Sequence, residues 1–191
     1  MMNRRHPLSG CQRQHGVALI TGLIFLVVLT LIGITASRMS SLEERMSGNL
    51  RDRSLAMQAA EMALRDAEQD IRAVAGVATR APAISGITGF NTACTNGLCY
   101  NGPNGNSNAV DWNVTPVWTL VSMTAAPSVA YSDFTSAAPI LGLSAQPRYL
   151  IEGMRKRLSN SGPLLNHYRI TVRAQGANPN TVVWLQEVFR P

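Results

Sequence analysis

Residues 17–36 read VALITGLIFLVVLTLIGITA, twenty consecutive positions without a charge. At about 1.5 Å per residue, a helix of this length spans roughly 30 Å, the thickness of a bilayer's hydrocarbon core. Upstream lies MMNRRHPLSGCQRQHG, which carries Arg4, Arg5 and Arg13 and no acid. A basic flank stays on the cytoplasmic side, so everything after Arg38 is expected to cross. The run is longer than the about 7–15 apolar residues of a secretory signal, and it passes into a helical pattern instead of a cleavage loop. Two readings of the flank fit. It is a short cytoplasmic tail on a signal anchor, or a leader that ends at Gly16 and is cut on the cytoplasmic side, leaving the apolar helix at the new N-terminus.

The helical pattern continues past Arg38. Leu42, Met46, Leu50, Met57, Ala60, Leu64, Ala67 and Ile71 follow at steps of three, four or seven, which draws one apolar stripe. Glu43, Glu44, Arg45, Arg51, Asp52, Arg53, Arg65, Asp66, Glu68 and Arg72 fall on the other faces and read mostly as solvated charges, with Glu61 and Arg65 spaced for an i,i+4 pair. No proline lies between Pro7 and Pro82, so one helix from Val17 to about Val74, on the order of 85 Å long, is expected. Gly22, Gly33 and Gly48 weaken it locally, and Gly48 is the expected bend. The first half is bare for the membrane; the second lays its stripe on a globular domain.

Charge excludes one class of function. The whole chain is +6, but from Val17 onward fourteen Lys and Arg face eleven Asp and Glu, too even and too scattered for nucleic acid. The one cluster, Arg155-Lys156-Arg157, reads as a solvated turn. Of the three cysteines, Cys11 falls in the flank, which leaves Cys94 and Cys99 as a C-x4-C pair in the exported part. In an oxidising compartment that pair is expected to form a disulfide, and without further Cys or His it is a poor zinc site.

Residues 79–147 are rich in Ala, Ser, Thr, Asn, Gly and Pro, with Asn-Gly turn signals at Asn96, Asn101 and Asn104. Val114–Met123 reads as a strand, weakened at Pro116. Arg148–Glu152, Tyr168–Ala174 and Thr181–Phe189 read as three further strands, and residues 176–180 (GANPN) as a turn between the last two. The fold class is therefore α+β: a long N-terminal transmembrane and stalk helix packed on a small antiparallel sheet. The divisions expected are a leader 1–16, a membrane half of the helix 17–38, a periplasmic amphipathic half 39–75 and a loop-rich sheet domain 76–191.

No catalytic constellation stands out. His6 and His15 lie in the flank, and the remaining His167 sits in a strand pattern, where it reads as structural. Asp111 and Asp133 have no evident partner, and the Asn113 sequon is discounted for a chain of bacterial character. There is no phosphate loop, metal cluster or nucleophile elbow. No cofactor and no enzymatic role are expected.

QRQHGVALITGLIFLVVLTLIGITASRMSSLEERMSGN, RDRSLAMQAAEMALRDAE and the tail YRITVRAQGANPNTVVWLQEVFRP resemble PilX-type minor pilins of type IV pili, and CTNGLC fits the same family. The resemblance is strong from Gln14 to about Glu68, good in the tail and poor in the middle. It implies a pilin-like fold, cleavage by prepilin peptidase between Gly16 and Val17, and N-methylation of Val17. Val17 departs from the phenylalanine typical of pilins at that place. Thr21 departs from the glutamate most pilins carry as fifth mature residue, which is thought to meet the N-terminal amine of a neighbouring subunit. A subunit without that acid fits poorly as a repeating filament unit, so the resemblance implies priming of pilus assembly and a place at the tip. The partners implied are other minor pilins, the major pilin, prepilin peptidase, the inner membrane and, at the tip, a large adhesin. The location implied is a single pass of the inner membrane with the bulk in the periplasm, then the pilus. A tip pseudopilin of a type II secretion system, or a single-pass periplasmic anchor unrelated to filaments, are the alternatives.

Overall fold

The computed structural model describes residues 16–72, 80, 84, 87–100, 117–157 and 163–191. Residues 1–15 of the expected leader, the expected Asn101 and Asn104 turns, Asp111 and the Asn113 sequon lie outside them. A single helix, α1, spans Val17–Arg72 and runs through Gly22, Gly33 and Gly48 without interruption. The chain divides into two compact units, Met1–Gly48 and Asn49–Pro191.

In the first unit every described helical side chain is exposed, including Leu19, Phe25 and Leu29. The hydroxyls in this apolar stretch are satisfied within the helix. Thr30 donates to the Val27 carbonyl at 2.8 Å and Thr35 to that of Leu31 at 3.1 Å. Were this stretch to lie in hydrocarbon, no water would be present to take those bonds, and the back-bonding would satisfy them.

In the second unit the helix buries a face made largely of alanine. Ala56, Ala59, Ala60, Ala63 and Ala67 are all at or near zero exposure, joined by Leu64 and Ile71. Small side chains at helical spacing let the helix backbone approach the sheet closely. The stripe expected from periodicity holds at Ala60, Leu64, Ala67 and Ile71, but Leu42, Met46, Leu50 and Met57 stay exposed. Asp66 is buried, against the expectation of a solvated charge, and so is Asp70. The i,i+4 ion pair the helix carries is Glu68–Arg72 at 3.4 Å, in place of the expected Glu61–Arg65.

Opposite this face stands a mixed five-stranded sheet: β1 Leu98–Cys99, β2 Val129–Ala130, β3 Arg148–Arg157, β4 Leu164–Gln175 and β5 Val182–Phe189. Strands β3, β4 and β5 form the expected antiparallel meander. The sheet is extended past β3 by β1, which runs parallel, and β2, which runs antiparallel. Two residues give no readable alternation, which is why sequence reasoning missed both. Tyr149 and Ile151 of β3, Tyr168, Ile170, Val172 and Ala174 of β4, and Val183 and Phe189 of β5 join the helix alanines in one core. At roughly 1.5–3 kcal/mol for each large side chain withdrawn from water, this layer is the main favourable term for the unit.

Two expectations are corrected. Val117–Thr119, inside the expected strand 114–123, is a 3-10 turn. Arg155-Lys156-Arg157 belongs to β3, paired with Asn166, Leu165 and Leu164, and is not a turn.

The β4–β5 turn is tied to the helix. The Asp52 carboxylate accepts N–H bonds from Ala177 at 2.6 Å and Asn178 at 3.3 Å. The Thr181 side chain and these amides hold its pKa below the ordinary carboxylate value. A Cβ at Gly176 would run into the Asp52 carboxylate, so a side chain there would have to push that carboxylate out of its bonds to the turn.

Candidate functional site

The residues singled out by sequence occupy two places, one in each unit, and these are described separately. At the start of α1, Gly16 is an exposed bend and Val17 the first helical residue, with no acid in the first turn. The Thr21 hydroxyl donates to the Val17 carbonyl at 2.9 Å and lies 3.1 Å from that of Ala18. This side chain therefore offers no charge to a neighbour, and its one proton is used by its own helix. Residue 21 lies one turn from residue 17, the spacing at which a carboxylate there would share a face with that residue.

In the second unit, Cys94 and Cys99 are joined by a disulfide and are fully buried with Met123 and Leu150. Asn91 organises the loop they close. Its carbonyl accepts from Tyr100 N at 2.9 Å and Cys94 N at 3.2 Å, and its side chain accepts from Thr95 N at 3.2 Å. Asn96 and Gly97 both adopt positive φ, as the Asn-Gly step predicts, and a Cβ on Gly97 would lie 2.7 Å from the Val129 side chain. The loop hands the chain to β1, which pairs with Ile151 and Glu152.

Three charge clusters that sequence reasoning did not assemble fasten this unit. Arg80 reaches the Asp70 carboxylate through Nε at 3.0 Å and through its backbone N–H at 3.1 Å, donates Nη1 to the Asn96 carbonyl, and stacks 3.9 Å above the Phe134 ring. It thus joins the helix, the disulfide loop and the segment after β2. Asp66 accepts from Ser132 N at 3.1 Å and from the Thr135 hydroxyl; burial raises its pKa and these bonds oppose the rise. On the sheet face away from the helix, Arg169 forks onto Glu152 at 2.7 and 2.6 Å and lies 5.0 Å from the Trp118 ring. A fork with both partners largely buried is the geometry in which guanidinium and carboxylate satisfy each other.

Glu187 projects from the helix-facing side of β5 toward Glu68. Burial and the Glu68 carboxyl push its pKa up to about 7, while Arg72 pairs with Glu68 and sits 4.7 Å from the Phe189 ring. A raised folded pKa means that the native state holds a proton the unfolded chain has released. This contribution is complete below about 4.5 and is lost as pH rises through about 7. Asp66 has the same sign. The melting temperature of the chain in detergent is therefore expected to fall from about pH 5 to about pH 8, and Glu187→Gln to flatten that slope. An unchanged slope in the variant would refute the assignment.

His167 is half-buried with Nδ1 3.2 Å from the Leu165 carbonyl, and Asp133 accepts the Ala130 N–H at 3.0 Å. Both have local structural partners. Among the described residues no three His, Cys, Asp or Glu side chains are grouped to hold a metal.

Comparison with known families agrees with this anatomy. Residues 15–65 match the PilX N-terminal family, and residues 95–191 match the C-terminal region of the type IV pilus assembly protein PilX. No curated protein and no solved structure gives a match. With an apolar N-terminal helix, a disulfide-bearing sheet unit and two matches that take in most of its length, the chain belongs to the PilX family of type IV pilus assembly proteins.

Proposed function

We propose that this chain is a minor pilin that primes assembly of a type IV pilus and sits at its tip. The observation that carries the reading is the acid-free first turn of α1 in a chain of this family, with the Thr21 hydroxyl closed onto its own helix. A subunit that follows another into a filament supplies a carboxylate to its neighbour's amine in the membrane; Thr21 supplies none. The priming subunit needs none, because nothing precedes it. In this reading prepilin peptidase cuts between Gly16 and Val17 and methylates Val17. The sheet unit waits in the periplasm while residues 17–38 hold the inner membrane, and other minor pilins and the major pilin join behind it. Its contribution is structural, not catalytic.

The test is a count of sheared surface pili in wild-type, deletion and Thr21→Glu strains. Deletion should lower the count sharply. Thr21→Glu places a carboxylate in hydrocarbon without a fixed amine partner, a cost of about 2.5–3.5 kcal/mol at a helix centre and less near its end. The count should stay level or fall. A Glu variant that spreads along the shaft and raises pilus number would overturn the tip assignment.

A further inference from the structure

The β5 strand ends the sheet. It pairs with β4 on one side, and no described strand pairs with its other edge. Exposed edges are ordinarily blunted by proline, lysine, bulges or shortness. Val182–Phe189 is eight residues long and contains no proline, glycine or lysine. Its one charge, Glu187, lies on the helix-facing side with Val183, Leu185 and Phe189. The other side presents Val182, Trp184, Gln186 and Val188, with Trp184 48% and Val188 52% exposed. Beside this row is an open groove of about 400 Å³ lined by Trp118, Thr119, Thr171, Trp184, Leu185 and Gln186. One wall is held in place, since Trp118 stacks on Arg169, which is forked onto Glu152.

We propose that β5 and the tryptophan-lined groove form a docking site for an extended segment of another pilus subunit, added to the sheet as a further strand. This rests on the pilin reading for the source of the partner. The occupant's chemistry follows from the edge. A row of backbone N–H and C=O groups at strand spacing is matched by another extended backbone about 4.8 Å away. Side chains on alternate positions of that backbone fall beside Trp184, Gln186 and Val188. A bulky one next to Gln186 reaches diagonally, over about 7–8 Å, into the groove. The segment recognised is therefore uncharged and apolar at every second residue, with a large side chain at one of them. A second copy of this chain fits less well. Two β5 strands paired about Gln186 bring their Glu187 carboxyls to diagonal positions on the same face, and once ionised, above about pH 7, like charges so placed repel.

The experiment places p-benzoylphenylalanine in the full-length chain at Gln186 or Val188, and at the exposed loop residue Leu141 as control, and irradiates piliated cells. Products from 186 and 188 should map to residues two apart in one segment of another pilus subunit, and the Leu141 site should not reach that segment. Trp184→Lys puts a charge in the groove. It should abolish the cross-link and lower sheared pili about tenfold, the change expected from about 1.4 kcal/mol of lost binding. If that variant fails to accumulate with its disulfide intact, Val188→Lys takes its place. Cross-links to a second copy, to no protein, or to scattered positions would overturn the docking site. So would full piliation by both lysine variants. If instead deletion of the whole chain leaves pilus number unchanged, it is the pilin reading that fails.

Discussion

Arg80→Ala is expected to destabilise the Asn49–Pro191 unit by about 3–5 kcal/mol, the range for removing one partner of a buried ion pair. Asp70 is fully buried and Arg80 nearly so. Without the guanidinium, Asp70 keeps, among the described residues, the backbone N–H of residue 80, and its charge faces a dry interior. The Tyr149 hydroxyl, also buried, has no hydrogen-bond partner among the described residues. Burial together with the Asp70 and Asp66 carboxylates pushes its phenol well above the ordinary value, so it stays neutral and adds no positive charge to replace the guanidinium. The same substitution frees the Asn96 carbonyl and uncovers the Phe134 ring, so three segments loosen together. Against a typical stability of about 5–15 kcal/mol, this removes a large share of what holds the unit folded. The check is urea denaturation of the full chain in detergent, followed by near-ultraviolet circular dichroism. An Asp70→Asn, Arg80→Met double variant should recover much of the loss, because it removes both charges at once. A loss below about 1 kcal/mol for Arg80→Ala would mean that water reaches the pair.

That Arg80 was invisible in the sequence has a physical explanation. Periodicity reports which side of a helix or strand meets an apolar phase, and it did so for β4 and for the last turns of α1. The uncharged run marks the start of α1, and the alternation of Tyr168, Ile170 and Val172 marks the buried face of β4. The turn at 176–180 follows from its Asn, Pro and Gly, and the disulfide from a short spacing in a chain expected to be exported. Ionic partnerships carry no period. Asp70 finds Arg80 ten residues on, and Asp52 finds the Ala177 amide 125 residues on. Each aspartate looked like any other charge on a helix.

The alanine face was misjudged for a related reason. A stripe drawn through the largest apolar residues passes through Met57 and Leu50, which are exposed, because alanine carries little hydrophobic weight however completely it is buried. What those positions contribute is closeness of approach, a property of shape that a hydropathy pattern does not record. The expected strand over 114–123 failed where described for a local reason. β-branched and aromatic residues around Pro116 suit a strand, but Val117–Thr119 forms a 3-10 turn whose Trp118 stacks on Arg169. The outer groove depends on that turn, so the same error hid the groove.

Gly16→Val is expected to abolish removal of the leader. The structure makes this a clean experiment, because nothing among the described residues needs glycine there. A Cβ on Gly16 meets no atom within 4 Å, its φ is not in the left-handed region, and the helix begins only at Val17. The variant should therefore insert and fold as the parent does, with its sheet unit and disulfide unchanged. Any defect then reports on recognition by prepilin peptidase. Uncut, the chain keeps Arg4, Arg5 and Arg13 ahead of the apolar run and becomes a permanent signal anchor, its basic tail held on the cytoplasmic side. Extraction into a filament would require those three cations to enter the membrane, each costing about 2.5–3.5 kcal/mol at the bilayer centre. Pilus number should drop to that of the deletion strain. Intact-mass measurement should find the leader retained in the variant, and in the parent an N-terminus at Val17 carrying one added methyl group. A parent protein that keeps Met1 in piliated cells would remove the leader from the account. A variant that is cut normally would place recognition elsewhere than Gly16.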